Sequence, residues 1–254
     1  MEAVKAIYEA QLIQPVTGKR ILITGGTTGI GRATAHLLAR ENQVLIVGRH
    51  QEELDEALAD FRKLNAPAGN LQGRLADVSK QEDIDALFAH VDETFGQLDI
   101  LVNNAALAFN SVLEGSYVDW EYILKTNLLG YLACSRQAAD RMKAHKRGHI
   151  VNIGSMSADV REKDSSVYVA TKSGIQGFSE SLRKEINELG IKVTLIEPGA
   201  VGTDMQPIEG QTEKQENLEM LKAEDIAVAV YYCLSTPQRC DVVAMQIRPH
   251  LQVI

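Results

Sequence analysis

Cysteine and long apolar runs are both scarce in this sequence of 254 residues. Its three cysteines, Cys134, Cys233 and Cys240, are an odd number without the paired spacing of a metal site, so we expect reduced thiols in a cytoplasmic protein. The apolar runs have only the length of strands, which predicts that no segment crosses a membrane. Residues 1–14 carry charges among their apolar side chains and so lack the core of a signal peptide.

Basic residues are fewer than acidic ones: the sequence has 26 lysines and arginines and 34 aspartates and glutamates, which gives a net charge of −8. An acidic surface repels nucleic acids and anionic membranes, and we therefore expect neither as a partner. His145 and His149 are four residues apart, but Gly148 lies between them and no third ligand is close in sequence. We therefore expect no metal site.

Strand-like apolar runs alternate with helical patterns through residues 17–254, without an internal repeat or a break in composition. This alternation predicts an α/β fold: a single Rossmann-type domain whose doubly wound parallel sheet has about seven strands, with helices on both faces and the site at the carboxyl ends of the strands. Residues 1–16 form an N-terminal lead-in that Pro15 ends. Residues 204–221 are polar, acidic and weakly periodic, which fits either a mobile substrate lid or an ordered surface helix.

A glycine-rich turn follows the first predicted strand, Arg20 to Thr24, and precedes a helical pattern. Strand, glycine turn and helix together form a phosphate cradle, since glycine lets the backbone approach a pyrophosphate and the free amides of the helix point at it. The glycines are spaced Gly-x-x-x-Gly-x-Gly, and their place after the first strand favours a dinucleotide site over a plain loop. The predicted cofactor-binding residues of the turn are Gly25, Thr27, Thr28, Gly29, Ile30 and Gly31.

The second predicted strand ends at Gly48 and Arg49. In a dinucleotide fold this position meets the adenosine ribose, where an acid accepts from the 2′-hydroxyl and an arginine pairs with a 2′-phosphate. Because Arg49 is present and an acid is not, we predict that NADP(H) is favoured over NAD(H). The alternative is a solvated surface arginine.

Later strand ends supply the other cofactor candidates. Asp77 is placed to hold an adenine amino group, although Asp77 or Ser79 could instead cap the next helix. Small residues after Asn103 let a cofactor pass close to the backbone, while Asn103 and Asn104 could tie neighbouring strands together. These candidates are Asp77, Val78, Asn103, Ala105, Pro198, Gly199, Val201 and Thr203, the last for the nicotinamide carboxamide.

Tyr168 and Lys172 are four residues apart in a predicted helix, so the phenol and the ammonium lie on one face. A fixed cation favours the phenolate, and we expect it to lower the pKa of Tyr168 toward neutral pH. Ser155 ends an apolar run thirteen positions before Tyr168 and could donate to the same substrate oxygen. Taken alone, a Tyr and Lys pair is more typical of a solvated helix face.

Taken in order over Arg20 to Ile254, these segments resemble the short-chain dehydrogenase/reductase family. The motifs that carry the resemblance are Thr24 to Gly31, Asn103 to Ala106, Asn127, Ser155, Tyr168, Lys172 and Pro198-Gly199. The family commonly has glycine where this chain has Ala106, whose methyl group narrows the floor of the site without removing a reacting group.

The resemblance implies a nicotinamide dinucleotide cofactor and a homodimer or homotetramer packed through the two long helices. It also implies a catalytic tetrad of Asn127, Ser155, Tyr168 and Lys172, of which Tyr168 and Lys172 also contact the cofactor. Asn127, which would otherwise be taken for a structural hydrogen-bonding residue, then fixes a water that relays protons from Lys172.

The expected function is an NADP(H)-dependent oxidoreductase acting on the CH–OH group of a small hydroxy or carbonyl substrate. The tail Ile247 to Gln252 resembles that of family members acting on short 3-hydroxy acids, serine or small aldehydes. The hypothesis that the substrate is a 3-hydroxy acid depends on Arg161 reaching the substrate carboxylate. The alternative is that Arg161 is a surface arginine. Two other functions stay open: a 3-oxoacyl-carrier-protein-type reductase, which a basic patch beside the site would favour, and a non-catalytic NADP(H)-binding redox sensor.

Overall fold

A central parallel sheet organises the molecule. The computed structural model describes residues 14–64, 67 and 69–252. The strands are β1 (Arg20–Thr24), β2 (Gln43–Gly48), β3 (Leu71–Leu75), β4 (Ile100–Asn103), β5 (Gly148–Ile153), β6 (Ile191–Pro198), β7 (Val201–Gly202), β8 (Leu221–Lys222) and β9 (Ala244–Ile247). Seven of them form one sheet in the order β3-β2-β1-β4-β5-β6-β9, and every neighbouring pair is parallel.

The central strands are apolar along their whole length because both faces of the sheet are covered. In β1, Ile21, Leu22 and Ile23 are all fully buried. Leu22 lies in register with Leu45 of β2 and Leu101 of β4. Alternate side chains point to opposite faces, so Ile21 and Ile23 belong to one hydrophobic core and Leu22 to the other.

Helices fill both layers. They are α1 (Gly29–Leu38), α2 (Gln51–Lys63), α3 (Gln81–Phe95), α4 (Tyr117–Leu124), α5 (Gly130–Met142), α6 (Ser157–Val160), α7 (Ser166–Ile186), α8 (Gln211–Glu216) and α9 (Ala223–Ser235). Helices α1, α2 and α9 pack on one face of the sheet, and α3, α5 and α7 on the other. The predicted fold class, a doubly wound Rossmann-type sheet, is confirmed.

Some element boundaries differ from the sequence prediction. The helical pattern from Tyr117 to about His145 is divided, because the backbone widens into a π turn at Lys125–Leu129 between α4 and α5. Strand β6 continues to Pro198, where it pairs with Ile247 of β9. The segment at 204–221 contains turns and the short helix α8, and its end pairs β8 with β7.

Most of the predicted lead-in, residues 1–13, lies outside the described residues. Of the rest, the amide of Gln14 donates to the carbonyl of Ser235 at 2.7 Å, and Val16 is buried in the core. No helix in the described ranges has both the length and the apolar character that a membrane crossing requires.

The strand order reverses between β1 and β4, which lie side by side although β2 and β3 separate them in sequence. In a doubly wound sheet, the connections after these two strands leave in opposite directions and open a crevice at the carboxyl ends. The segments that follow Thr24 and Asn103 therefore border this crevice.

Candidate active site

The glycine turn after β1 requires glycine for two reasons: some of its residues have a left-handed backbone, and others have no space for a side chain. Gly25 and Gly29 have φ values of +63° and +50°, in the left-handed region. Gly31 has no room for a side chain, because a Cβ there would collide with the carbonyl of Gly25 and lie 2.5 Å from Nδ2 of Asn104. The turn is thus packed against its neighbours through backbone atoms.

Two asparagines hold this end of the sheet. Nδ2 of Asn104 donates to the carbonyl of Gly25 at 2.8 Å, and the hydroxyl of Thr24 accepts from the amides of Asn104 and Ala105 at 3.0 and 3.2 Å. Asn103 is buried and donates to Asn152 of β5 at 2.9 Å. The prediction that the asparagines tie neighbouring strands together is confirmed.

A cavity of about 350 Å³ opens over the turn, and we call it the glycine-turn cavity. Its predicted members are Gly25, Thr27, Thr28, Gly29, Ile30, Arg49, Val78, Ala105 and Thr203, and Ala106 also lines it. Eight predicted residues lie outside its lining. Gly31 supports the turn from behind, Asn103 donates to β5, Val201 is buried in the core, and Asp77 forms a local turn. Tyr168, Pro198 and Gly199 line a second cavity instead, and Lys172 lines neither cavity.

Asp77 belongs to a polar cluster beside Arg49. Its carboxylate accepts from the amide of Ser79 at 3.0 Å and from the hydroxyl of Tyr122 at 3.2 Å, and Tyr122 in turn accepts from Arg49. Burial works to raise the pKa of Asp77, but the hydrogen bonds from Ser79 and Tyr122 outweigh it and hold this pKa below its usual range. Helix α3 has Lys80 at its N-cap and no side-chain cap, so the capping alternative for Asp77 and Ser79 is wrong.

A second cavity, of about 460 Å³, lies against Tyr168, and we call it the Tyr168 cavity. Ser155, Pro198 and Gly199 of the predicted set line it. Residues that the sequence did not single out also line it: Ala108, Phe109, Glu162, Met205 and Gln252. Ala108 and Met205 border both cavities, which therefore meet between these two side chains.

Tyr168, Lys172 and Ser155 come together as the spacing predicts. Helix α7 presents Tyr168 and Lys172 on one face, with Nζ of Lys172 5.6 Å from the centre of the Tyr168 ring. That Nζ donates to the carbonyl of Ile153 at 3.1 Å, and the hydroxyl of Tyr131 donates to the same oxygen. Ser155 follows Ile153 by two residues, which places its hydroxyl beside the phenol.

Burial dominates the acid–base properties of this pair. It raises the pKa of Tyr168, which a hydrogen bond with Ser155 lowers in part and the carboxylate of Glu162 raises further. Burial also lowers the pKa of Lys172 to about 7. The expectation of a lowered pKa for Tyr168 is therefore wrong for the protein alone, because burial of the phenol dominates and Lys172 is itself only partly charged at neutral pH.

Asn127 lies in the π turn and is fully buried. Its Oδ1 accepts from the amide of Leu107 at 2.8 Å, and its Nδ2 donates to the carbonyl of Leu107 at 2.9 Å. Nδ2 also lies 3.3 Å from the hydroxyl of Thr171, next to Lys172. Asn127 thus fixes the segment after β4 against α7. Its role in a water relay stays a prediction.

The loop after α6 places Arg161 differently from expectation. Arg161 has a φ of +57° and turns its Nε onto the carbonyl of Ala158 at 3.2 Å, so its exposed side chain does not line the Tyr168 cavity. Glu162 lines the cavity instead. The left-handed backbone at Arg161 decides which of two adjacent side chains faces the site, and no pattern in the sequence indicates it.

The histidine pair has no shared site in this fold. His149 is buried in β5, where its Nε2 lies 2.9 Å from the hydroxyl of Thr194. Burial lowers its pKa to about 3, so the ring is neutral at physiological pH. Across the ranges that the structure describes, no cluster of three or more His, Cys, Asp or Glu side chains could hold a metal ion.

Known proteins are similar to this chain in sequence and in structure. The model of the short chain dehydrogenase family matches residues 19–214, which is more than half of the chain. The chain belongs to the short-chain dehydrogenase family. An uncharacterized oxidoreductase of Staphylococcus aureus (strain MRSA252) is 32% identical over 236 residues, covering 92% of this chain and 98% of the relative.

Two solved structures of this family are also similar. The closed form of a serine dehydrogenase complexed with NADP⁺ has a TM-score of 0.82 and 28% identity, covering 92% of this chain and 96% of the other. A metagenomic short-chain oxidoreductase in complex with NADP has a TM-score of 0.80 and 25% identity, covering 93% and 99%.

Family members use a nicotinamide cofactor, and the glycine-turn cavity fits one. The missing side chains at Gly25 and Gly29 leave the backbone of the turn open to a pyrophosphate. A Cβ at Gly25 would lie 2.7 Å from Cα of Ala105, so any larger residue would displace the floor of the cavity. The protein is therefore an oxidoreductase of this family.

Proposed function

We propose that this protein is an NADP(H)-dependent oxidoreductase that interconverts a CH–OH group and a carbonyl group in a small substrate. The observation that carries the proposal is the position of Tyr168 and Ser155. Both line a cavity that meets the glycine-turn cavity between Ala108 and Met205. A substrate oxygen beside Tyr168 would thus lie next to the end of a bound dinucleotide.

When bound, the nicotinamide supplies or accepts the hydride. Tyr168 gives or takes the proton of the substrate oxygen, which Ser155 holds by a hydrogen bond. Lys172 favours the phenolate when it is charged and binds the nicotinamide ribose. Asn127 fixes a water that passes protons from Lys172 to solvent. The turn residues and Thr203 hold the cofactor.

Preference for NADP(H) rests on Arg49. Its side chain lines the glycine-turn cavity beyond the end of β2, where a 2′-phosphate would lie. The similar serine dehydrogenase and metagenomic oxidoreductase were both solved with NADP. Glu53 lines the same cavity and opposes a phosphate, so the preference depends on Arg49 outweighing one nearby carboxylate.

The proposed activity is tested by following NADPH and NADH consumption over a panel of aldehydes, 3-oxo acids and 3-oxoacyl thioesters, with the reverse reaction run on alcohols, 3-hydroxy acids and serine. We expect turnover of a small substrate with NADP(H). Tight NADPH binding without turnover of any compound, alongside a partner protein whose binding depends on NADPH, would replace the enzyme with the sensor.

The cofactor preference is tested by Arg49→Gln. Loss of a charge-assisted pair with the 2′-phosphate should raise the KM for NADPH roughly 10- to 100-fold and leave the KM for NADH unchanged. Arg62→Gln, on the exposed side of α2, is the matched control. Equal effects on both cofactors would contradict the assignment. Gly48→Asp is a poor probe, because a Cβ at Gly48 would lie 2.5 Å from Cγ2 of Thr27.

The structure bears on the finer substrate hypotheses. The hypothesis of a 3-hydroxy acid lacks its proposed support, since Arg161, the expected partner of the substrate carboxylate, does not line the Tyr168 cavity. A carrier-protein reductase needs a basic patch, but in the loop beside the cavity Arg161 and Lys163 alternate with Glu162 and Asp164, so their charges cancel. A binding module has no need for Tyr168 on the cavity, which favours the enzyme.

We also propose a homodimer or homotetramer in the cytoplasm. Large apolar side chains stand exposed along α4, the π turn and α5, which supports a further subunit contact there: Tyr117, Val118, Leu124, Leu129 and Leu132. Free thiols support a reducing compartment, and burial raises the pKa of Cys134 to about 12, which keeps it unreactive. Light scattering of the purified protein measures the oligomeric state.

A further inference from the structure

The Tyr168 cavity carries one charged side chain among the described residues that line it, the carboxylate of Glu162. The rest of the lining is neutral: apolar at Phe109, Met156 and Val160, and polar at Asn110 and Gln252. A charged side chain on the wall of a substrate cavity favours bound molecules of the opposite charge.

Glu162 is an exposed loop residue whose carboxylate accepts a side-chain hydrogen bond. The hydroxyl of Ser157, at the start of α6, donates to Oε1 of Glu162 at 3.3 Å. The loop that carries it has left-handed residues on both sides, Arg161 at φ +57° and Asp164 at φ +64°. Because Arg161 turns back onto the carbonyl of Ala158, its guanidinium does not neutralise Glu162 inside the cavity.

Glu162 is also close enough to Tyr168 to affect its electrostatics, since the carboxylate favours the neutral phenol. A substrate with its reacting oxygen at Tyr168 would therefore place a neighbouring substituent near Glu162. An ammonium group there gains from the carboxylate, whereas a substrate carboxylate is repelled. The buried Lys172 lies behind the Tyr168 ring and is not part of the cavity wall.

We propose that Glu162 is a specificity-determining residue that selects substrates bearing an ammonium group, so that the substrate class is small amino alcohols and the corresponding amino-carbonyl compounds. The inference rests on the proposed function. In the oxidation direction, the carbinol carbon loses a hydride to NADP⁺ and the hydroxyl loses its proton to the phenolate form of Tyr168, whose own proton has first passed to solvent. The C–O bond becomes C=O, and the ammonium group is unchanged.

Three alcohols of similar size separate the charge from the shape of the substrate: 4-amino-2-butanol, 2-pentanol and 3-hydroxybutyrate, which are cationic, neutral and anionic at pH 7. The kcat/KM with NADP⁺ is measured for each, with the native protein, Glu162→Gln and Asp164→Asn. Asp164→Asn removes a charge from the same loop without touching the cavity, and asparagine tolerates the left-handed backbone there.

In the native protein we expect kcat/KM to fall from the amino alcohol to 2-pentanol by about fivefold, since a partly exposed ion pair contributes about 1 kcal/mol, and to be lowest for the hydroxy acid. Glu162→Gln should reduce the ratio of amino alcohol to 2-pentanol to about one and raise the relative rate of the hydroxy acid. Asp164→Asn should keep the native ratio. A native ratio near one, or the same ratio in Glu162→Gln, would overturn the inference and leave the oxidoreductase function standing.

A binding measurement makes the outcome independent of turnover. If none of the three alcohols is oxidised, their affinities for the NADP⁺-saturated protein are compared by saturation-transfer NMR. Preferential binding of 4-amino-2-butanol that Glu162→Gln abolishes would support the selection by charge even as the proposed reaction fails. Equal binding of the three alcohols would overturn it.

Discussion

The two cavities of this molecule are built in different ways although they share a border. The glycine-turn cavity is shaped by backbone: Gly25 lies against Ala105, Gly31 against Gly25 and Asn104, and Gly29 against Thr203. The Tyr168 cavity is shaped by side chains from loops and from the segment at 204–221. The first accommodates one kind of ligand at fixed contacts, whereas the second can change its preference by single substitutions without disturbing the sheet.

The largest effect should come from Tyr168→Phe, which alters the Tyr168 cavity by one oxygen atom. Loss of the proton donor should lower kcat by roughly 10²–10⁴-fold, because general acid–base catalysis has this magnitude. The Kd for NADPH should stay within about twofold, since the glycine-turn cavity is intact. Stopped-flow turnover and fluorescence titration with NADPH measure the two quantities.

Tyr131→Phe is the matched control, because Tyr131 is a buried tyrosine that hydrogen bonds the carbonyl shared with Lys172 but lines neither cavity. It should cost about 1 kcal/mol of stability through the lost hydrogen bond and change kcat far less than Tyr168→Phe. Equal losses of kcat in both variants would show that the cluster is structural and that Tyr168 is not the acid.

The burial of Lys172 lowers the free energy of unfolding. Its pKa is about 7 in the folded protein against an ordinary value of 10.5, so the unfolded chain binds more protons between pH 7 and 10.5. The cost of burial is therefore full at or below pH 7 and declines as the pH rises toward 10.5. Lys172→Met should stabilise the fold by on the order of 3 kcal/mol at pH 6.5, after allowance for the lost hydrogen bond to Ile153.

Urea denaturation at pH 6.5, 8 and 9 measures this difference, which should shrink by up to about 1.4 kcal/mol per pH unit above 7. Lys184→Met, on the exposed face of α7, is the control and should shift stability by less than about 1 kcal/mol at every pH. A pH-independent difference for Lys172→Met would mean that this lysine stays charged in the fold.

The contrast between the backbone-built and the side-chain-built cavity also explains which features the sequence predicts. The glycine turn and the approach of Tyr168 to Lys172 follow from fixed spacings along the chain, and the alternation of strands and helices predicts the doubly wound parallel sheet; all three are observed. The positions of Arg161 and Glu162 follow from one left-handed residue in a loop, which reverses the side chain that faces the cavity. The shift in the pKa of Tyr168 is upward and not downward as expected for a related reason: spacing predicts that Tyr168 is close to Lys172 but not how deeply the phenol is buried.

Gly31→Ala tests the backbone-built cavity. Its Cβ would collide with the carbonyl of Gly25, so the turn must shift, at a cost of about 1–3 kcal/mol of stability. The Kd for NADPH should rise by about tenfold or more. Gly177→Ala, at an open position of α7, should instead stabilise the fold by about 0.5–1 kcal/mol. Unchanged NADPH binding in Gly31→Ala would indicate that the turn adapts, and that the two cavities differ less than their contacts suggest.

The smallest expected effect is at Glu53, the carboxylate that shares the glycine-turn cavity with Arg49. Its Oε2 lies 3.4 Å from the hydroxyl of Thr27, which holds it near the end of β2. If a 2′-phosphate binds there, Glu53→Gln removes a partly screened repulsion and should tighten NADPH by about two- to fivefold while leaving NADH unchanged. Glu56→Gln, exposed on the same helix and outside the cavity, is the control, and isothermal titration at low salt gives the affinities. Equal tightening of both cofactors would place the influence of Glu53 on the shared pyrophosphate and would contradict its position beside the 2′-phosphate.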